Sequence, residues 1–197
     1  MIRRLILAVA LGAVYSAAYA DKWLVVPEDQ RHIIDVGKES SGAEALCPDD
    51  MVMTGRWHTG DENGPTKYEC AALRLYDPYS QSTKAALIRV TNRSWTHECA
   101  KEDGCGYVAD GNRIITGRKH SNDENGPTRY ETGLVLVNDQ RTDVNDSKAG
   151  PKFKESSGQW WRSGSLEVMV GRQHWGDENG DTRYHAASIV WTEQTEE

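Results

Sequence analysis

Gly55 to Tyr68 read GRWHTGDENGPTKY, and closely similar strings stand at Gly117 to Tyr130 and Gly171 to Tyr184. Each pair of copies agrees at ten positions, although the flanking residues differ. Residues kept at fixed spacing predict that the three copies share one local geometry. A site built from this motif would occur three times, so a single catalytic centre is the less natural interpretation.

The repeat extends beyond the motif. A lysine followed by a glutamate stands twenty residues before the motif histidine in the first and third copies and nineteen before it in the second: Lys38-Glu39, Lys154-Glu155 and Lys101-Glu102. The motif histidines lie 62 and 54 residues apart, which is longer than helical solenoid units and suits small multi-stranded units. We predict one domain over residues 21–197, divided into three segments at about 21–83, 84–140 and 141–197.

Short β-rich runs flank each motif. Met51 to Thr54 precede the first copy and Tyr68 to Tyr76 follow it, and the other two copies show the same pattern. Two such runs joined by a loop rich in Gly and Asn form a β-hairpin, with the DENG residues at its tip. The sequence predicts an all-β fold of three pseudo-symmetric hairpin repeats, either β-trefoil-like or β-prism-like.

The N-terminal residues have the pattern of a signal peptide. Arg3 and Arg4 precede an apolar run over residues 5–17, and the sequence AYA at 18–20 forms a small-x-small cleavage site. We predict that residues 1–20 are removed and that the mature protein is secreted or periplasmic. The apolar run is too short for a membrane span.

The charge of the chain limits the classes of partner. The formal net charge is −7, and it becomes −9 once the signal peptide, with two arginines and no acidic residue, is removed. Nucleic acids and anionic lipids attract proteins of the opposite sign. We therefore expect neither nucleic acid nor an anionic lipid surface as the partner. We also expect no membrane span, and we expect a glycan or an exported or cell-surface protein as the partner.

The chain has four cysteines: Cys47, Cys70, Cys99 and Cys105. An even number in an exported chain predicts two disulfides. Three pairings are possible, and we favour Cys47–Cys70 and Cys99–Cys105 because each joins residues of one segment. Neither pair has the C-x-x-C spacing typical of a metal site.

Strand alternation places the motif Arg and His on one face of the first strand, and Thr and Tyr on one face of the return strand. The residue between Arg and His varies as Trp57, Lys119 and Gln173, so the repeated polar set has the fixed role. The candidate ligand-binding residues are Arg56, His58, Asp61, Asn63, Tyr68, Arg118, His120, Asp123, Asn125, Tyr130, Arg172, His174, Asp177, Asn179 and Tyr184.

The same residues have two structural interpretations. DENG residues make tight turns without any ligand, because Asp and Asn bond backbone N–H groups and Gly accepts unusual backbone angles. Arg, His, Thr and Tyr can form a buried polar brace in a protein with few aliphatic runs. Burial of the Arg and Tyr side chains would favour the brace, and an open cleft would favour a binding site.

Metal sites are weaker alternatives. Calcium is possible because Asp and Asn supply hard oxygen ligands, but DENG lacks the alternating acidic spacing of an EF-hand. A zinc site would need His58, His120 and His174 to converge next to three arginines, whose charge opposes a cation. We expect no cofactor.

These patterns favour a non-enzymatic binding protein. The chain has no G-x-S-x-G nucleophile motif and no glycine-rich nucleotide loop. Our leading hypothesis is a lectin-like protein with up to three equivalent polar and aromatic glycan sites. The alternative is an exported protein-interaction module, such as an inhibitor, immunity or adhesion component, whose repeated motif braces the fold.

Overall fold

A computed structural model describes residues 21–177 and 179–194. The predicted signal peptide lies outside the described residues. Within the described part the chain is all-β, as predicted, and it contains no helix that is long and apolar enough to cross a membrane. The fifteen strands are β1 Lys22–Lys38, β2 Ser41–Leu46, β3 Met51–Thr59, β4 Pro65–Asp77, β5 Ser82–Lys84, β6 Ile88–Cys99, β7 Gly106–Val108, β8 Arg113–Ser121, β9 Thr128–Val137, β10 Gln140–Arg141, β11 Asp143–Ala149, β12 Phe153–Lys154, β13 Ser157–Arg162, β14 Val168–Trp175 and β15 Asp181–Thr192.

The strands form two antiparallel sheets. The ten-stranded sheet has the central order β13-β3-β4-β1-β15-β14-β7, and the five-stranded sheet has the order β10-β9-β8-β2 with β6 also paired to β9. Over residues 21–177 and 179–194 neither sheet closes into a barrel. The N-terminal part of β1 pairs with the C-terminal part of β15, so the two ends of the domain are joined.

The three motif copies form the hairpins β3-β4, β8-β9 and β14-β15, and their registers match. In each hairpin the motif Arg lies opposite the motif Tyr and the motif His lies opposite the motif Thr. Each first strand also carries a bulge immediately before the motif glycine, at Gly55, Gly117 and Gly171. Residues at identical spacing have thus adopted the same local structure in all three copies.

A short strand that follows each Lys-Glu pair joins the hairpin of a different segment. β2 of the first segment pairs with β8 of the second, β7 of the second pairs with β14 of the third, and β13 of the third pairs with β3 of the first. The motif glycine permits this approach: a Cβ on Gly171 would lie 2.6 Å from the carbonyl oxygen of Tyr107. We call β2, β7 and β13 the exchanged strands.

The opposite side of each hairpin is covered by a strand of its own segment. β1 pairs with β4, β6 with β9, and β11 with β15. The hairpin faces that point inward build two core clusters. One is aliphatic, around Val25, Leu75 and Ile189, and the other contains the motif tyrosines and the cysteines.

Two disulfides are present, Cys47–Cys70 and Cys99–Cys105, and no cysteine is free in the described residues. This is the pairing that we favoured from the sequence. Cys47 follows the exchanged strand β2, so the first disulfide ties the end of β2 to β4.

Candidate functional site

The repeated polar side chains lie inside the protein. The motif Arg, His, Thr and Tyr residues each expose no more than 3% of their surface: Arg56, Arg118, Arg172, His58, His120, His174, Thr66, Thr128, Thr182, Tyr68, Tyr130 and Tyr184. In each hairpin the motif Arg lies opposite Tyr and the motif His lies opposite Thr, so these side chains share one face as predicted. These four side chains of each motif copy therefore lie in the interior of the protein.

The glutamate of each Lys-Glu pair completes this cluster. Glu39, Glu102 and Glu155 are 8%, 5% and 4% exposed, and each forms ion pairs with two motif arginines. One arginine belongs to the same segment as the glutamate and the other to the next segment. These glutamates were not among the candidate site residues predicted from the sequence. Their repeated spacing before the motif histidine could have identified them.

The ion pairs close a ring of six alternating charges. Glu39 bonds Arg56 at 2.5 Å and also pairs with Arg118, and Glu102 bonds Arg118 at 2.5 Å and Arg172 at 2.6 Å. Glu155 pairs with both Arg172 and Arg56 and so completes the circle. We call these six residues the ionic ring. Three positive and three negative charges cancel, which allows so many ionised groups to be buried together.

Two of the three motif tyrosines bond to the ring. Arg118 donates to the hydroxyl of Tyr68 at 2.7 Å, and Arg56 donates to the hydroxyl of Tyr184 at 3.1 Å. The Tyr184 hydroxyl in turn donates to Glu155 at 3.3 Å. These bonds give the guanidinium groups of Arg56 and Arg118 partners beyond the carboxylates, whereas the buried hydroxyl of Tyr130 has no hydrogen-bond partner in the described residues.

The ring keeps its carboxyl groups ionised. Burial raises the pKa of a carboxyl group, but Arg56 and Arg118 outweigh it and hold the pKa of Glu39 well below its usual value. For Glu102 burial is likewise outweighed, chiefly by Arg172 and Arg118, which lower its pKa to about 2. Glu39 and Glu102 therefore remain charged at physiological pH.

The histidines lie next to the ring and are neutral. Burial, and then the charge of Arg56, lower the pKa of His58 to about 4. His58 Nδ1 lies 2.7 Å from the hydroxyl of Thr66, and Nε2 lies 3.2 Å from the carbonyl oxygen of Gly60. An Nε2–H group that donates to Gly60 leaves Nδ1 to accept the Thr66 hydroxyl proton.

His174 repeats the arrangement of His58, and His120 differs. His174 Nδ1 lies 2.7 Å from Thr182, Nε2 lies 3.0 Å from the carbonyl oxygen of Gly176, and burial lowers its pKa to about 4. In His120, Nε2 lies 3.1 Å from a carboxylate oxygen of Glu102, and Nδ1 has no hydrogen-bond partner in the described residues. Burial lowers the pKa of His120 as well.

A small cavity lies where the three histidines meet. Its volume is about 20 Å³, and it is lined by the motif histidines, the ring glutamates, Glu62 and Glu124. A cavity of roughly 10–15 Å³ on this measure holds one water molecule. A sugar ring does not fit in this space.

The DENG residues at the hairpin tips have turn geometry. Asp61 accepts a hydrogen bond from the backbone N–H of Asn63 at 2.9 Å, and its carbonyl accepts one from Gly64 at 2.7 Å. Asp123 with Asn125, and Asp177 with Asn179, repeat the first bond.

A Cβ on Gly64 would lie 1.9 Å from the carbonyl oxygen of Thr59, so only glycine fits there. All six Asp and Asn side chains are exposed, and they lie apart from the buried Arg, His and Tyr.

Backbone hydrogen bonds interlock these tips with the Lys-Glu segments. Ser40 donates to the carbonyl of Glu62 in the first tip and accepts from Asn122 in the second. The other links are Asp103 to Glu124 at 2.9 Å, Gly176 to the side chain of Asp103 at 2.7 Å, and Gly60 to Ser156 at 3.3 Å. Each tip is thus held by the segment that also supplies a ring glutamate.

One potential metal-ligand group occurs in the described residues. His97, Cys99 and Cys105 bring their ligand atoms within 4.8 Å of one another, but the two cysteines form a disulfide and offer no thiolate. The motif histidines face one cavity, yet in His58 and His174 both ring nitrogens already have protein partners.

Comparison with known proteins gave no match. A scan against protein-family models, a search of curated proteins and a search of solved structures each found nothing similar to this chain.

Proposed function

We propose that this chain is an exported, non-enzymatic binding protein whose repeated motif braces the fold from inside. The observation that supports this proposal is the ionic ring: the motif arginines are covered and paired with three buried glutamates, and Tyr68 and Tyr184 bond to them. Recognition then belongs to the residues that differ between the three segments. The two disulfides are compatible with an extracellular or periplasmic location.

We further propose a β-prism-like arrangement with pseudo-threefold symmetry. Each hairpin, its own flanking strand and one exchanged strand make a four-stranded unit, as in the set β1-β4-β3-β13. Exchange runs from the first segment to the second, from the second to the third, and from the third to the first. This cyclic order, together with the ring, supports a prism-like arrangement over a trefoil.

The bonding of the motif supports the proposal that the protein is not an enzyme. A general base needs a free nitrogen within reach of a substrate. His58 and His174 bond Thr and Gly partners instead, and the adjoining cavity holds about one water molecule. Nδ1 of His120 has no hydrogen-bond partner in the described residues, but it is buried.

We favour glycan binding as the class of function, at a site that occurs in the third segment only. A protein partner is the second candidate, because Trp57 and Trp160 lie directly opposite each other on the outer face of β3 and β13. Lys67 lies over the ring of Trp57, 5.6 Å from its centroid, and Arg162 lies 4.5 Å from the centroid of Trp160. Trp and Arg dominate the binding energy of many protein interfaces.

The brace is tested by substituting His58, His120 and His174 together with alanine. We expect a large drop in melting temperature, because the hydroxyl and carbonyl partners of the histidines lose their bonds inside the protein. An unchanged melting temperature would contradict the brace. The class of partner is tested with the mature protein on a neutral-glycan array and, in parallel, by cross-linking to exported proteins with Trp160→Ser as the comparison.

A further inference from the structure

The three hairpins cover their motif tyrosines in different ways. The exchanged strands β2, β7 and β13 place Ala45, Tyr107 and Trp161 opposite the motif arginines of the second, third and first hairpins, respectively. The flanking strand places Ile34 opposite Tyr68 and His97 opposite Tyr130.

The second segment has three stacked rings. Tyr107 stacks on Tyr130 with centroids 5.1 Å apart, and His97 stacks on the other side of Tyr107 at 4.6 Å. In the third segment Trp161 and Phe153 both stack on Tyr184, at 4.5 and 5.7 Å, but within residues 21–177 and 179–194 no ring stacks on Trp161 as His97 does on Tyr107, because glycine replaces the histidine. This glycine is Gly150, whose N–H donates to the carbonyl of Tyr184 at 2.8 Å.

A groove of about 250 Å³ occupies this region of the third segment. Trp161, Tyr184 and Gly150 line it together with Lys148 and Glu167. It lies where the strand pairing along β15 is interrupted, between Ala149 at the end of β11 and Phe153 at the start of β12. Pro151 stands in this interruption and has no N–H group to continue the ladder.

We propose that this groove binds one neutral hexopyranose unit of a glycan, with the sugar ring as the third layer on Trp161. The proposal rests on the proposed function as a binding protein and names its ligand class and site. The groove is slightly smaller than the range of about 300–1,000 Å³ typical of pockets for drug-sized ligands, which suits a single sugar ring. The indole supplies an apolar face, and its partner Tyr184 is held rigidly by Arg56.

The charged residues of the groove determine the kind of sugar. Lys148 and Glu167 both line the groove, and their opposite charges cancel. An ammonium group donates to hydroxyl oxygens and a carboxylate accepts from hydroxyl protons, so neighbouring hydroxyls satisfy both. Arg162 also lines the groove but is already paired with Glu69 at 2.8 Å.

The decisive variant is Gly150→His, which copies the histidine of the second segment. A Cβ on Gly150 would lie 3.4 Å from the carbonyl oxygen of Tyr184 and 3.7 Å from Nε1 of Trp161, both ordinary contacts, and the backbone there is not left-handed. The new ring should cover Trp161 as His97 covers Tyr107. Ser147→His is the matched control, because Ser147 is exposed on β11 and does not line the groove.

The experiment uses the mature protein and neutral oligosaccharides that end in glucose, galactose, mannose or N-acetylglucosamine. Binding is measured by tryptophan fluorescence and saturation-transfer NMR. We expect the parent and Ser147→His to bind at least one probe equally, and Gly150→His and Glu167→Gln to bind it at least tenfold more weakly with unchanged melting temperatures.

Two results would overturn the proposal, and they can be distinguished. If no probe binds the parent, the sugar site is wrong, while the brace is still judged by the melting temperatures of its own variants. If the parent and Gly150→His bind a probe equally, the protein binds glycans elsewhere. Capture of a protein partner that Gly150→His leaves unchanged, with no glycan bound, also rejects the groove as the site.

Discussion

At the scale of single residues, the ring glutamates have an importance that their own segment does not reveal. Glu39 pairs with Arg56 of its own segment and with Arg118 of the next, 79 residues away in the chain. The retained spacing indicates that these glutamates have a fixed role. Spacing cannot indicate that one of the two arginine partners lies in another segment. For the same reason the sequence predicted which motif side chains share a face and left open whether that face was buried.

Substituting one ring glutamate should therefore be costly. Glu39→Gln leaves two buried guanidinium groups with too little negative charge, and removal of one partner from a buried ion pair costs about 3–5 kcal/mol. We expect a loss of about 3 kcal/mol or more in urea unfolding. Glu44→Gln is the control, because Glu44 pairs with Lys119 on the surface at 3.1 Å and such pairs contribute about 0–1 kcal/mol. Equal losses in the two variants would reject the ring as a major source of stability.

The buried histidines predict how stability depends on pH. The pKa values of His58 and His174 are about 4 in the folded protein and about 6.5 when exposed, so the unfolded chain binds more protons between these values. Stability should fall as the pH falls from about 6.5 to 4, by about 1.4 kcal/mol per pH unit for each histidine. Below about pH 4.5 protonation of Glu39 and Glu102 adds to the loss, because their folded pKa values are lowered.

Urea unfolding across pH 3–8 measures this dependence. The His58→Gln/His174→Gln variant should have a shallower slope between pH 6.5 and 4, since two of the titrating groups are absent. A parent slope near zero in that window would show that the histidines do not change their protonation on unfolding.

At the scale of elements, the hairpins were predictable and the exchanged strands were not. The alternation of side chains along the strands and a Gly- and Asn-rich loop sufficed to predict the hairpin β3-β4, because both strands and the turn are adjacent in the chain. β2 pairs with β8, whose motif stands more than seventy residues later. No local pattern indicates that partner. The motif glycine is the one sequence feature that reflects the exchange, since a side chain at Gly117 would collide with Leu46 of β2.

The two disulfides should differ in their contribution to stability. Cys47–Cys70 spans 23 residues and ties the end of an exchanged strand to a hairpin, whereas Cys99–Cys105 spans 6 residues. On the loop-entropy estimate the longer loop gives about 1 kcal/mol more stabilisation. We expect Cys47→Ala/Cys70→Ala to lower the unfolding free energy more than Cys99→Ala/Cys105→Ala. The reverse order in urea titrations would show that local strain or packing outweighs the entropy of the unfolded chain.

At the scale of the whole molecule, the three units are linked in a circle rather than in a row. Each unit receives an exchanged strand and a ring glutamate from its neighbour, and the pairing of β1 with β15 joins the two ends of the chain. In a linear repeat array each unit contacts only its sequence neighbours, and the terminal units open first. A closed circle has no terminal unit. The three hairpins should therefore unfold together.

Native-state hydrogen exchange tests this closure. In the parent, the slowest amides of β3-β4, β8-β9 and β14-β15 should open with the same free energy, equal to that of global unfolding. Glu39→Gln changes a glutamate of the first segment, yet the opening free energy of the slowest amides should fall by the same amount in all three hairpins, because none can open without breaking the ring. A fall confined to the first and second hairpins, which hold Arg56 and Arg118, would mean that the ion pairs stabilise local contacts only. It would make the protein an open array whose ends merely lie side by side.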